Sequence, residues 1–178
     1  MSGSIITNNA AFVAKQTMLS LSHSPVKKTL HKMIYLIQKA GIDLGYDYHL
    51  YFYGPYSEDL DDDIVALQFR DGVEMEITDY GHRLSIDSEV SVSLCENECK
   101  YEGKIIEIIK HYTAEKWKPK SLELLATAVY AHEHGVGKDA QSIIAGVKKI
   151  KGDKYKDSEI ENILSEFEFL GIELEKSS

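Results

Sequence analysis

The sequence is poor in cysteine, in basic charge and in uninterrupted apolar runs, and each shortage removes a class of protein. Two cysteines in 178 residues, Cys95 and Cys99, exclude a disulfide-built scaffold and fit a reducing compartment. Their Cys-Glu-Asn-Glu-Cys spacing offers two thiolates, but a closed zinc site needs four ligands, and no second CxxC or HxxxH pattern follows. No stretch approaches the roughly 18 to 20 consecutive apolar residues of a membrane span, and AAFVAKQTML lacks the basic flank of a secretory signal. A cytoplasmic protein with no membrane contact is therefore expected. With 20 Lys and Arg against 29 Asp and Glu, the net charge is −9, which opposes the phosphate attraction behind most nucleic-acid binding. Neither half is net basic: residues 1–90 carry 7 cations against 13 carboxylates, and residues 91–178 carry 13 against 16. The Gly-x-Ser-x-Gly elbow, the Gly-x4-Gly-Lys-Ser/Thr phosphate loop and the His-Glu-x-x-His motif are all missing. No catalytic residue, metal ligand or cofactor is assigned.

An apolar fraction of 43% is enough to fill a sizeable core. SPVKKTLHKMIYLIQKAG reads as an amphipathic helix, with Ser24 as cap, Pro25 in the first turn, an apolar stripe of Val26, Leu30, Met33, Ile34 and Ile37, and Gly41 as stop. YDYHLYFY alternates as a short strand that Gly54-Pro55 ends. Ser57 caps a second helix whose buried stripe is Leu60, Ile64 and Leu67, and Glu58, Asp59 and Asp61 suit the positive end of its dipole. VEMEIT reads as one strand of a hairpin or wing, Thr78 as cap of a short helix over Asp79 to Leu84, and EVSVSL as a weak strand. Gly103 marks a boundary before a helix reaching Trp117, and Pro119 lies in a linker. Three further helices are predicted, opening at Ser121, Asp139 and Ser158, the last with a Ser158/Glu161 capping box. The expected fold is α+β and mainly α-helical. Residues 1–23 form an N-terminal extension, 24–90 a winged-helix-like part with a small sheet, 91–120 a connector with a helix, and 121–172 a C-terminal three-helix part.

The densest chemistry lies between Tyr46 and Ile64, where six aromatic residues within eleven positions precede five carboxylates within six. The acids Asp59, Asp62 and Asp63 share a helix face that could hold Mg2+ through water, but no phosphate-holding loop accompanies them, and a solvated acidic face explains Asp62 and Asp63. His49 beside phenols could move protons, but a buried packing role explains it better in the absence of a nucleophile. His132 and His134 lie about 200° apart on a helix and cannot share one ion from one face. The outward tyrosines Tyr51, Tyr53 and Tyr56 remain, and a large ring with a polar tip suits a docking surface. Partner contact is accordingly expected at His49, Tyr51, Tyr53, Tyr56, Asp59 and Asp62. Lys148, Lys149 and Lys151 offer an anion contact, or serve as cations favoured at a helix C-terminus.

KKTLHKMIYLIQKAG, LYFYGPYSEDLDDDI, ITDYG, SLELLATAVYAHEHG and EIENILSEFEFLGI, in that order, resemble the YwgA-like family of prokaryotic proteins, which is distantly similar to the Panacea, or SocA-like, antitoxin-associated domain. The strongest piece is Tyr53-Gly54-Pro55-Tyr56-Ser57 after the Lys-Met-Ile-Tyr-Leu helix, and the likeness runs over about residues 26 to 172 by motif order. Tyr-Phe-Tyr-Gly-Pro stands where the antitoxin domain usually has Trp-Lys-Tyr-Gly-Pro. The resemblance implies a winged-helix-like, mostly helical fold and an antitoxin, adaptor or regulator role. Its matching positions are Lys32, Tyr35, Tyr53, Gly54, Pro55, Tyr56, Ser57 and Leu60, and it brings no catalytic residues. The function expected is thus a non-enzymatic protein-interaction module. The alternatives are a winged-helix DNA-binding regulator, disfavoured by the acidic helix at Ser57, and a metal-dependent hydrolase or nuclease using Asp59, Asp62 or Asp63.

Overall fold

Eight successive residues of one helix, Leu30 to Ile37, are buried, and the other elements are arranged around that rod. The computed structural model describes residues 4–176. Strand β1 (Ile5–Thr7) and helix α1 (Asn9–Leu21) come first, then the rod, α2 (Lys27–Lys39). The hairpin β2 (His49–Tyr51) and β3 (Gly54–Tyr56) leads to α3 (Glu58–Leu67), and the hairpin β4 (Val73–Thr78) and β5 (Gly81–Ile86) to β6 (Ser91–Ser93). The rest is helical: α4 (Glu102–Thr113), α5 (Pro119–His134), α6 (Ala140–Lys151), α7 (Asp157–Ile163) and α8 (Glu166–Phe169). The fold is α+β and mainly helical, with three two-stranded sheets among the described residues, of which β1–β6 is parallel. Buried apolar side chains from Ile6 to Leu170 form one cluster. No helix among the described residues is long and apolar enough to cross a membrane.

The N-terminal segment, expected as an extension, is packed into the core. Asn8 caps α1 by accepting from the Ala11 N–H at 2.9 Å, and Ala10 to Ala14 are buried against α2, α3 and α4. The run Ala10-Ala11-Phe12-Val13-Ala14 is apolar on every side of a helix because its surroundings are protein on every side. With α1 counted, three helices precede the β4–β5 hairpin, which takes the place expected of a wing. The Ser85–Tyr101 stretch is held by the same segment. Strand β6 pairs with β1, Asn9 accepts from the Cys95 N–H at 3.0 Å, and the Lys15 amine donates to the carbonyls of Asp87, Ser88 and Val90.

Several boundaries differ from those expected, and tertiary pairing accounts for them. Helix α2 begins at Lys27 because the Pro25 carbonyl accepts from Leu84 N–H at 3.1 Å and Val26 bridges Arg83, which keeps both residues extended. The strand expected over YDYHLYFY is confined to His49–Tyr51 and ends at the Phe52-Tyr53 turn, and Gly54-Pro55 begins the return strand of a hairpin. Thr78 closes the two-residue turn of β4–β5 by donating to the Gly81 carbonyl at 2.7 Å, so no helix forms there. Helix α4 contains Gly103 and stops at Thr113, four residues short of Trp117. Pro119 is not in a linker but opens α5, where its missing N–H is not needed. The capping contact expected at Ser158/Glu161 is made two residues earlier, by the Lys156 N–H to Glu159 at 2.8 Å, and the helix it opens breaks before α8.

Phe12, 3% exposed, provides a test. The Phe12→Ala variant is expected to lose about 3–5 kcal/mol of unfolding free energy, measured by urea denaturation, whereas a residue in a peripheral extension would change it by less than about 0.5 kcal/mol.

Candidate functional site: a groove between two hairpins

A helix buried on all sides has to supply partners for its polar residues, and α2 carries two such residues in the buried run, His31 at 2% and Lys32 at 5% exposure. Both are answered by the segment from Gly54 to Asp61. The Lys32 amine donates to the Pro55 carbonyl at 2.6 Å. His31 Nδ1 accepts from the Ser57 N–H at 3.4 Å, which assigns the ring proton to Nε2, 3.5 Å from Asp61 Oδ1. The Tyr56 ring stacks on the imidazole at 4.4 Å between centroids. Burial, with help from the neighbouring Lys32 charge, pulls His31 down to about 4. Burial also brings Lys32 down to about 8, assisted by Lys151 and opposed by Glu123. Burial alone raises Asp61, but hydrogen bonds from Lys27 and Tyr56 outweigh it and hold the carboxyl below its ordinary range.

The β2–β3 hairpin is fixed from two further directions. Gly54 has φ +92°, a conformation that favours glycine, and a Cβ there would crowd Thr127 Oγ1 of α5 at 3.0 Å. Lys151, with a side chain 4% exposed, pairs with Glu123 at 2.7 Å and donates to the Phe52 carbonyl at 3.1 Å. Burial raises Glu123, but hydrogen bonds from Lys151 and then Lys154 hold it below the usual carboxylate range.

Between this hairpin and β4–β5 runs a groove in two adjoining halves. One, of about 460 Å3, is lined by His31, Tyr51, Tyr56, Asp61, Gly81 and His82. The other, of about 490 Å3, is lined by Leu21, Arg83, Tyr112, Trp117, Leu122 and Glu123. Val26, Lys28, Lys32, Tyr53 and Tyr80 border both. The Lys28 amine lies over the Tyr53 ring, 3.8 Å from its centroid, a favourable contact between a cation and an aromatic face. The hairpin tips beside the groove expose Phe52 at 83% and Tyr80 at 77%.

The residues singled out in the sequence are distributed as follows. Tyr51, Tyr53 and Tyr56 all border the groove, Tyr51 and Tyr53 exposed and Tyr56 half-buried by its stacking. His49 is exposed and not packed away as expected, and Asp59 and Asp62 are exposed on α3; none of the three lines the groove. Asp63 is not merely solvated, since it accepts from the Tyr46 hydroxyl at 2.6 Å and from Asn8. Lys148 pairs with Asp157, Lys149 is exposed, and Lys151 is the buried anchor just described. His31, Lys28, Arg83, Tyr112 and Trp117 were missed as site residues. A signal for the buried polar pair did exist: Met33 to Ile37 is an unbroken apolar run, wider than the stripe of a surface helix. No protein-family model matches the chain, and no curated protein matches its sequence.

The His31 environment predicts a pH dependence. Its pKa is lower folded than unfolded, so between about 4 and 6.5 the unfolded chain binds more protons and stability falls as pH falls. The shift from 6.5 to about 4 corresponds to a loss of about 3 kcal/mol over that window. Urea denaturation from pH 7 to 4 is expected to show this decline, and His31→Asn, which keeps an acceptor for Ser57, is expected to flatten it.

Proposed function

We propose that the protein is a non-enzymatic interaction module, of the antitoxin, adaptor or regulator kind, which docks a partner polypeptide along the groove between its two hairpins. The observation that carries this reading is the exposure of large apolar side chains at both tips, Phe52 and Tyr53 on one and Ile77 and Tyr80 on the other, beside an open, largely apolar groove. Contiguous exposed apolar surface of this kind marks interaction sites, and buried aromatic anchors carry most of the energy of such contacts. The supporting shell is preorganised, because Lys32, Gly54 and Lys151 hold the β2–β3 hairpin before any partner arrives. The resemblance to the YwgA-like and Panacea-like proteins points the same way.

The DNA-binding alternative gains nothing from α3. Its exposed residues include Glu58, Asp59 and Asp62, which repel phosphate where a recognition helix would have to enter a groove. The hydrolase alternative lacks a matching cluster: among the described residues, no three His, Cys, Asp or Glu side chains gather to hold a metal ion.

Phe52→Ser with Tyr80→Ser changes two exposed positions and leaves folding within about 0.5 kcal/mol per site. In paired affinity captures from the native host, a protein retained by wild type is expected to be lost from the double variant, and calorimetry with that protein purified is expected to show binding weakened about tenfold or more. Retention of the same proteins by both forms removes this reading, as does binding of duplex DNA that weakens steeply with rising salt.

A further inference from the structure

The 490 Å3 half of the groove combines features that a generic docking surface does not need. Its walls include Leu21, Trp117 and Leu122, and Tyr112, 1% exposed, lies among them. The Tyr112 hydroxyl and the Trp117 indole N–H are buried, and neither has a hydrogen-bond partner among the described residues. Both polar atoms are closed to solvent, so the side-chain surface this pair offers the cleft is carbon. The same cleft is bordered by Lys28, Arg83 and Lys118, none of which forms an ion pair among the described residues, Arg83 donating to the Ser24 carbonyl at 2.8 Å, and by Lys32, whose amine is engaged by the Pro55 carbonyl. The one carboxylate lining it, Glu123, is engaged by Lys151 and Lys154, each at 2.7 Å. A protein of net charge −9 thus concentrates unpaired cations around one apolar cleft.

We infer that this cleft captures the C-terminal residue of a partner polypeptide, its apolar side chain against Trp117, Tyr112 and Leu122 and its terminal carboxylate among Lys28, Arg83 and Lys118. The inference rests on the reading of the groove as a partner site and adds which part of the partner enters. An internal Asp or Glu brings a carboxylate without an apolar body, and an internal Phe or Leu brings the body without the charge. A C-terminal Leu or Phe carries both within one residue. The adjoining 460 Å3 half, which shares Lys28 and Tyr53 with the cleft, then holds the preceding residues in an extended segment. Charge complementarity selects this end of a chain, since capture of a terminal carboxylate by converging donors is a recurrent mode of peptide recognition. The Lys28 contact with the Tyr53 ring at 3.8 Å places an amine at the junction of the halves, where the terminal main chain would turn into the cleft.

The test uses the full chain and a random octapeptide library made in two forms, with free C-terminal carboxylates and with C-terminal amides. Binding is read by fluorescence polarisation, and by the emission of Trp117, the one tryptophan of the sequence, for peptides without tryptophan. The expected result is enrichment of C-terminal Leu, Phe or Tyr, free acids binding at least about tenfold tighter than the matching amides, and a shift in Trp117 emission on binding. Lys28→Gln with Lys118→Gln, both exposed positions, is expected to lower free-acid affinity about tenfold with little change for amides. Equal affinity of acid and amide overturns the inference and leaves the groove as an internal-peptide site. Failure of both libraries also overturns it, and the capture experiment with the Phe52 and Tyr80 variant then decides separately whether a polypeptide docks here at all.

Discussion

The hydrogen bond from the Lys32 amine to the Pro55 carbonyl, 2.6 Å long and buried, is the contact on which the site depends. A lysine inside a core is costly unless its ammonium finds acceptors, and on α2 the acceptor is a backbone carbonyl brought to it. The β2–β3 hairpin supplies that carbonyl, which fixes how the hairpin lies across the helix. Its position in turn places Tyr56 on His31 and Ser57 at the start of α3. One polar residue in a buried run thereby orders a strand, a cap and an aromatic stack.

Other contacts make the arrangement unique. Gly54, in the left-handed region, packs close against Thr127, and Lys151 reaches the Phe52 carbonyl from the end of α6. The hairpin is therefore held by α2, α5 and α6 together, elements far apart in sequence. Mobile aromatic residues at a hairpin tip lose entropy when they bind, and a hairpin anchored on three helices has lost much of it beforehand. Rigidity here and exposure of Phe52 and Tyr53 at the same tip are compatible because the anchoring uses backbone carbonyls and leaves the rings free.

Much of this fold was legible because local chemistry and tertiary packing agreed. Ser57 and Asp139 were readable as caps and act as caps, and Leu30, Met33, Ile34 and Ile37 of α2 and Leu60, Ile64 and Leu67 of α3 are buried. What escaped reading was set by pairing across long distances. Nothing near Pro25 announces that its carbonyl will serve Leu84, or that Val26 will bridge Arg83, so the helix start was placed too early. Helix α1 escaped because its apolar run shows no polar face and thus no periodicity. The site was half legible: the tyrosines could be found by density, but its cations come from Lys28 and Lys32 on α2, Arg83 on β5 and Lys118 before α5, three segments that only the fold brings together. Lys148, Lys149 and Lys151 do form one, and the fold takes Lys148 and Lys151 into ion pairs with Asp157 and Glu123.

That contrast bears on which partner an acidic protein can accept. Net charge acts at long range, but at physiological salt its field decays over about 8 Å, so a ligand already in the groove responds to the nearest groups. Those are unpaired cations in the cleft and, a short way off, the carboxylates of α3. A nucleic acid presents phosphates along its whole length and cannot occupy the first region without meeting the second. A short segment with a single negative charge can, because its one carboxylate sits among the lysines while the rest of it is neutral. The charge pattern thus selects against length of anion rather than against anions, and a positive cleft on a negative protein is consistent with a preference for one terminal charge over many.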